Sequence, residues 1–133
     1  MHLSIIPILS IAIAGGQTIH SFAGIGIGAA DTKTLVNKVS KSAQHKERWI
    51  RTKVLVVDEI SMLDKHVFEV LDQIARQLKE VDEPFGGMQL LVVGDFMQLP
   101  PVNRKRGQHS SEFCFESPVW EEAGLNDVKG RLW

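Results

Sequence analysis

Asp58 and Glu59 are adjacent carboxylates at the end of the run Val54-Leu55-Val56-Val57. Four apolar, mostly β-branched residues without polar alternation predict a strand buried on both faces of a parallel sheet. Ligands of such sheets collect at the carboxyl ends of the strands, so the pair would stand where a substrate binds. One carboxylate can hold a hydrated Mg²⁺ while its neighbour orients or deprotonates a water, and that combination serves phosphate cleavage. On this octapeptide alone, an acidic loop after a core strand is the plainer alternative.

A second stretch repeats the plan. Gln89-Leu90-Leu91-Val92-Val93 leads into Gly94-Asp95-Phe96-Met97-Gln98-Leu99-Pro100-Pro101. If the two strands are neighbours, Asp58, Glu59, Asp95 and Gln98 share one edge of one sheet. The amide of Gln98 can donate to a phosphate oxygen and accept from water, and the Pro-Pro pair stiffens its loop. Thr18, His20 and Ser21 form a third group, small polar donors beside the ring of Phe22. They could grip a sugar-phosphate backbone and stack a base, or form an ordinary polar loop with Phe22 in the core.

The elements that must hold these groups follow from periodicity and breakers. Leu35, Val36, Val39, Ala43 and Ile50 predict an amphipathic helix over about residues 33–48. A strand runs from Lys53 to Asp58. Asp64 is placed to cap a helix whose stripe is Val67, Phe68, Val70, Leu71, Ile74, Ala75, Leu78 and Val81, ending near Asp82. Pro84 and Gly86-Gly87 break the chain before a second strand from Met88 to Val93. The basic stretch from Asn103 to Ser111 reads as a solvated or phosphate-touching loop. Phe113 to Phe115 reads as a short strand, and Ser117-Pro118 opens a helix through Ala123. A further strand is expected from Leu125 to Val128.

The 133 residues suit one small domain, and 44% hydrophobic with 23% charged residues excludes a disordered chain. The net charge of −1 provides no global attraction to nucleic acid, but its distribution is uneven. From Thr32 to Lys53 seven basic residues (Lys33, Lys38, Lys41, Lys46, Arg48, Arg51, Lys53) face the single acid Glu47, and acids dominate from Asp58 to Glu83. A basic flank beside an acidic centre suits a protein holding a nucleic-acid backbone and a Mg-nucleotide in different places; a solvated helix face is the simpler reading. A single cysteine, Cys114 between two phenylalanines, excludes an internal disulfide and a cysteine-cluster zinc site, and is expected to be a buried core thiol in an intracellular protein.

Met1 to Ala14 is almost wholly apolar but too short to span a bilayer as a helix, so no membrane partner is expected. Ala12-Ile13-Ala14 mimics a signal-peptide cleavage site, yet no Lys or Arg precedes the apolar run. Pro7 opposes one uninterrupted helix, leaving a buried strand or an improvised N-terminus. Gly24-Ile25-Gly26-Ile27-Gly28 is not a phosphate loop, because the P-loop pattern G-x-x-x-x-G-K-S/T occurs nowhere in the sequence.

Four stretches together resemble the petite-integration-frequency (PIF-one) family of DNA helicases, within superfamily one. Residues 16–24 resemble its motif Ia and residues 57–64 its Walker B motif. Residues 71–76 with 84–90 resemble the signature region, and residues 94–102 resemble motif III. The resemblance implies an α/β fold, a RecA-like P-loop NTPase-type parallel sheet flanked by helices, here without the P-loop strand and the second RecA-like domain. It implies a divergent apolar N-terminus (1–14), a partial RecA-like domain (15–128) and a divergent tail (129–133).

The same resemblance implies roles. Asp58 would hold Mg²⁺, and Glu59 would be the base or water-orienting residue of ATP hydrolysis. Gly94, Asp95 and Gln98 would border the nucleotide, with Gln98 sensing the γ-phosphate. Thr18, His20, Ser21 and Phe22 would lie along single-stranded DNA. The activity implied is an ATP-driven 5′-to-3′ DNA helicase of genome maintenance (repair, recombination, telomere upkeep), in the nucleus or mitochondrion. Without P-loop and arginine fingers, the expectation for this chain alone is no ATPase activity. A non-catalytic protein binding single-stranded DNA or a partner is the alternative.

Overall fold

The computed structural model describes residues 16–97 and 112–126, together with the backbone of His2–Leu3. At its centre lies a parallel sheet in the order β1 (His2–Leu3), β2 (Val54–Val57), β3 (Gln89–Val92). His2 pairs with Leu55, and β2 and β3 run in register from Val54 opposite Gln89 to Val57 opposite Val92. The two apolar runs are therefore adjacent strands, and both polar loops leave the same edge.

The strands are covered on one face only among the described residues, where burial of both faces was expected. Leu55 and Val57 are buried, while Val54 and Val56 are half-buried, and in β3 Gln89 and Leu91 are exposed. Side chains alternate across a sheet, so the register puts Leu55, Leu90, Val57 and Val92 on the covered face. These four share one core with the helices.

The helix predicted over 33–48 is two helices, α2 (Thr32–Ser40) and α3 (Ala43–Arg51), after a short α1 (Ile19–Ala23). Asp31 caps α2 by accepting from Thr34 N–H at 3.0 Å. Ser42 leaves helical geometry and caps α3, accepting from His45 N–H at 3.4 Å. Serine at that position competes for backbone donors, which ends one helix and starts the next. The break rotates the apolar face: Trp49 is fully buried, whereas Ile50, expected on the stripe, is 44% exposed.

Asp64 caps α4 (Lys65–Lys79) through Val67 N–H at 2.8 Å, and the predicted stripe from Val67 to Leu78 is buried. The helix ends on Glu80 in the left-handed region, before Asp82, and Val81 is exposed. A 3-10 turn, Pro84–Gly87, then returns the chain to the sheet. Gly86 is required there: its φ is +60°, and a Cβ would lie 2.6 Å from the carbonyl oxygen of Ala75.

Phe113 to Phe115 is not a strand. Phe113 makes an isolated antiparallel bridge to Asp64, and Cys114–Glu116 is a 3-10 turn. Ser117 caps α5 (Pro118–Glu122), with Pro118 in its first turn. Residues 125 and 126 form no strand, and the rest of the strand expected there, like Gln98, Pro100, Pro101 and the 103–111 loop, lies outside the described residues. No described helix is long and apolar enough to cross a membrane.

Candidate nucleotide and nucleic-acid sites

The ladder between β2 and β3 continues one step past the strands and fixes the carboxylate edge. Val93 N–H donates to Val57 O at 2.8 Å, and Ile60 N–H donates to Val93 O at 3.0 Å. Asp58 and Glu59 form the turn between these bonds. Asp58 Oδ1 accepts from Glu59 N–H at 2.9 Å, and Glu59 is held at φ 54°, ψ 41°. A left-handed backbone is uncommon outside glycine, and at a strand end it redirects the side chain. Gly94 lies against this turn, where a Cβ would stand 2.9 Å from Ile60 N. Any side chain at 94 would push the two loops apart. Asp95 follows at once, and its Oδ1 accepts from Met97 N–H at 2.8 Å. Asp58, Glu59, Gly94 and Asp95 thus meet at one edge, while Gln98 is outside the described residues.

The donors at this edge fit a magnesium ion. Asp58 and Asp95 each use one carboxylate oxygen within the protein, leaving hard oxygens for a cation. The buried hydroxyl of Ser61 has no hydrogen-bond partner among the described residues. No group of three or more metal-ligating side chains occurs among the described residues, and Mg²⁺ is commonly held by one or two carboxylates plus waters and phosphates.

An aromatic strap braces the edge from behind. The ring of Phe96 is T-shaped to Phe115 at 4.9 Å and to Trp120 at 5.9 Å, and Phe113 stacks on Phe115 at 5.0 Å. Cys114 Sγ–H donates to Ile60 O at 3.5 Å. Burial pushes its thiol up to about 12, consistent with an inert core cysteine. A cleft of about 550 Å³ opens instead near the amino ends of the strands, lined by Lys53, Lys79 and Met88. There the Lys79 ammonium donates to Ile50 O and Thr52 O, so it staples a turn away from the carboxylates.

The third group sits on α1. Thr18 caps this helix, accepting from Ser21 N–H at 3.3 Å, and both residues are exposed; His20 is half-exposed. Phe22, expected along single-stranded DNA, packs into the core instead. Its ring is fully buried, 5.0 Å from Trp49, and cannot stack a base in this conformation. The apolar ring gains more from the core than from water, as the plainer reading of this loop holds. Phe22→Ala is therefore expected to cost about 3–5 kcal/mol of stability and leave single-strand affinity per folded molecule unchanged. Urea melts beside oligonucleotide titrations check this; a stable variant that binds DNA weakly would restore the stacking role.

Arg48, in the sequence only one member of the basic flank, has a docking role that its spacing did not show. Its Nη1 donates to Ser21 O at 3.0 Å and Phe22 O at 2.9 Å, and its guanidinium lies 5.9 Å over the Phe22 ring. Trp49 Nε1 adds a 3.4 Å bond to Ala23 O. These bonds dock α1 on α3 across more than 25 residues of chain, and no local spacing signals them.

Residues 6–129 match the family model described as PIF1-like helicase. The ATP-dependent DNA helicase PIF1 of Saccharomyces cerevisiae is 52% identical over 108 residues, which is 81% of this chain and 12% of that protein. The ATP-dependent DNA helicase RRM3 of the same species is 45% identical over 113 residues, 85% of this chain and 16% of that protein. This chain thus spans less than a fifth of either relative. The crystal structure of Pif1 helicase from Candida albicans superposes with a TM-score of 0.80 at 40% identity, covering 91% of this chain and 26% of that one. That of Pif1 from Bacteroides in complex with ADP-AlF3 and ssDNA gives 0.73 at 32%, covering 92% and 29%. The chain belongs to the PIF1-like helicase family, and its parallel sheet with flanking helices is the RecA-like fold of that family.

Proposed function

We propose that this chain forms part of the first motor domain of an ATP-dependent DNA helicase that unwinds DNA 5′-to-3′ in genome maintenance, in the nucleus or mitochondrion. The RecA-like part runs from 15 to 128, with divergent ends. The observation that carries this reading is the meeting of Asp58, Glu59, Gly94 and Asp95 at one sheet edge, with Glu59 in a left-handed backbone. Asp58 would hold Mg²⁺, which when bound would supply positive charge against the phosphates. Glu59 orients and deprotonates the attacking water. Gly94 lets the loop of Asp95 and Gln98 approach the γ-phosphate, where Gln98 donates its amide. Thr18, His20 and Ser21 on α1 face single-stranded DNA, as relatives are DNA helicases and one was solved with ssDNA.

One observation favours a second reading for the 133-residue chain acting alone. It contains no G-x-x-x-x-G-K-S/T stretch, so the amides and lysine that cradle ATP phosphates are not among its residues. By itself it would bind single-stranded DNA without turning over ATP. Mg-ATP hydrolysis by the purified chain, with and without single-stranded DNA, separates the two. The expected result is no DNA-stimulated turnover above a Glu59→Gln control. In a polypeptide joining residues 15–128 to a phosphate-binding loop and second motor domain, Glu59→Gln should retain ATP binding and lose turnover. Undiminished turnover there would remove Glu59 from the mechanism.

A further inference from the structure

The basic residues between Thr32 and Lys53 are not spread evenly over the surface. Two of them, Lys38 and Arg48, converge with His45 on the loop that follows α1. Arg48 reaches the carbonyl of Ser21, the residue whose exposed hydroxyl is read as a DNA contact, at 3.0 Å. A Cβ on Gly24 would lie 2.6 Å from His45 Nδ1, and one on Gly26 would lie 3.2 Å from Lys38 Nζ. Both side chains therefore close over bare glycine backbone. Lys38 is exposed, and His45 and Arg48 are half-buried.

Nearby acids are engaged elsewhere. Glu47 pairs with Arg51 at 3.1 Å, and Asp31 holds Thr34 at the start of α2. Among the described residues neither Lys38 nor Arg48 pairs with a carboxylate, and Arg48 Nε and Nη2 have no protein acceptor. His45 titrates below its ordinary value, through burial first and then through the charges of Arg48 and Lys38. Like charges gathered without a counter-ion repel one another, and a shared anion relieves that repulsion.

We propose that Lys38, His45 and Arg48 hold one backbone phosphate of single-stranded nucleic acid, extending the track of Thr18 and Ser21 around the Gly24–Gly26 turn. The site rests on the reading of α1 as a single-strand contact, because its position beside Ser21 is what selects a nucleic-acid phosphate over a free anion. The contact is independent of base identity and sensitive to salt.

The test is fluorescence anisotropy of fluorescein-labelled oligo(dT) with the 133-residue chain over a salt series. Lys38→Gln should weaken binding several-fold at low salt. It should also flatten the slope of log K against log[salt] by about 0.7, the value for one single-strand phosphate. Lys38→Glu should weaken binding further, with thermal melting unchanged in both, an ordering that a structural role would not produce. Unchanged affinity and slope in Lys38→Gln, with Ser21→Ala binding weakly, would overturn the phosphate site and leave the α1 reading standing. Loss in the Lys38 variants with Ser21→Ala unaffected would keep the basic site and remove Ser21 from the track. Absence of oligo(dT) binding by the unmodified chain would overturn both.

Discussion

Asp72→Ala is expected to destabilise the chain by about 3–5 kcal/mol, the cost of breaking a buried ion pair by removing one partner. Asp72 is fully buried in the middle of α4. It accepts from Arg76 Nε at 3.0 and 2.8 Å and from Phe85 N–H at 2.7 Å. The second bond matters because Phe85 sits at φ 52°, a left-handed conformation costly for a bulky residue, with its ring 5.1 Å from Phe68. The Asp72 carboxylate and the close fit of Gly86 on Ala75 hold the 84–87 turn in that strained shape, and the turn delivers the chain to β3. Alanine would leave the Phe85 N–H unsatisfied as well as freeing Arg76.

Arg76 is not left alone, which sets the lower end of the range. It also binds Asp82 at 3.2 Å and Glu122 at 2.9 Å. Burial opposes its charge, but the carboxylates outweigh that and raise its pKa above the ordinary guanidinium value. Asp72→Asn keeps an acceptor for Phe85 and should cost less than alanine. Asp82→Ala, at a side chain 97% exposed, should leave stability near that of the parent. Urea denaturation with a constant m-value would rank the three. If Asp72→Ala unfolds at the same urea concentration as Asp82→Ala, the staple contributes nothing and the turn is held by apolar packing.

Glu59→Gly is expected to separate stability from activity. A non-glycine residue in the left-handed region costs about 1–3 kcal/mol, and glycine relieves that cost while adding about 0.5–1 kcal/mol of unfolded-state entropy. The net expectation is a gain of about 1 kcal/mol, seen as a melting temperature a few degrees higher. Glu59→Ala keeps the strained backbone and should show no such gain. Both variants lack the carboxylate, so in an assembled motor both should lose ATP turnover. A melting temperature for Glu59→Gly at or below that of Glu59→Ala would mean that the turn is not strained. A higher melting temperature for Glu59→Gly would locate backbone strain at the proposed catalytic carboxylate.

Residue type and spacing located the carboxylate edge. Two apolar runs ending in Asp58-Glu59 and Gly94-Asp95 were enough to place both groups at strand ends, because a short run of apolar, mostly β-branched side chains marks a strand and its end. Asp64 as a cap, the stripe of α4 and the stop at Pro84 are equally local. The family could be read from four short motifs in order.

What depended on tertiary structure is everything carried by contacts between distant residues. The choice for Phe22 between a DNA base and the core is made by Trp49 and Arg48, 26 or more residues away. The division of the 33–48 helix turns on Ser42, whose hydroxyl could equally have faced solvent in a continuous helix. Burial of the strands on one face rather than two, among the described residues, depends on where the helices lie, since an apolar run looks the same with one covering layer or two. The left-handed turn at Glu59 has no signature in side-chain chemistry. It arises because Val93 and Ile60 continue the ladder on either side of it, and only the folded sheet brings those two backbones together.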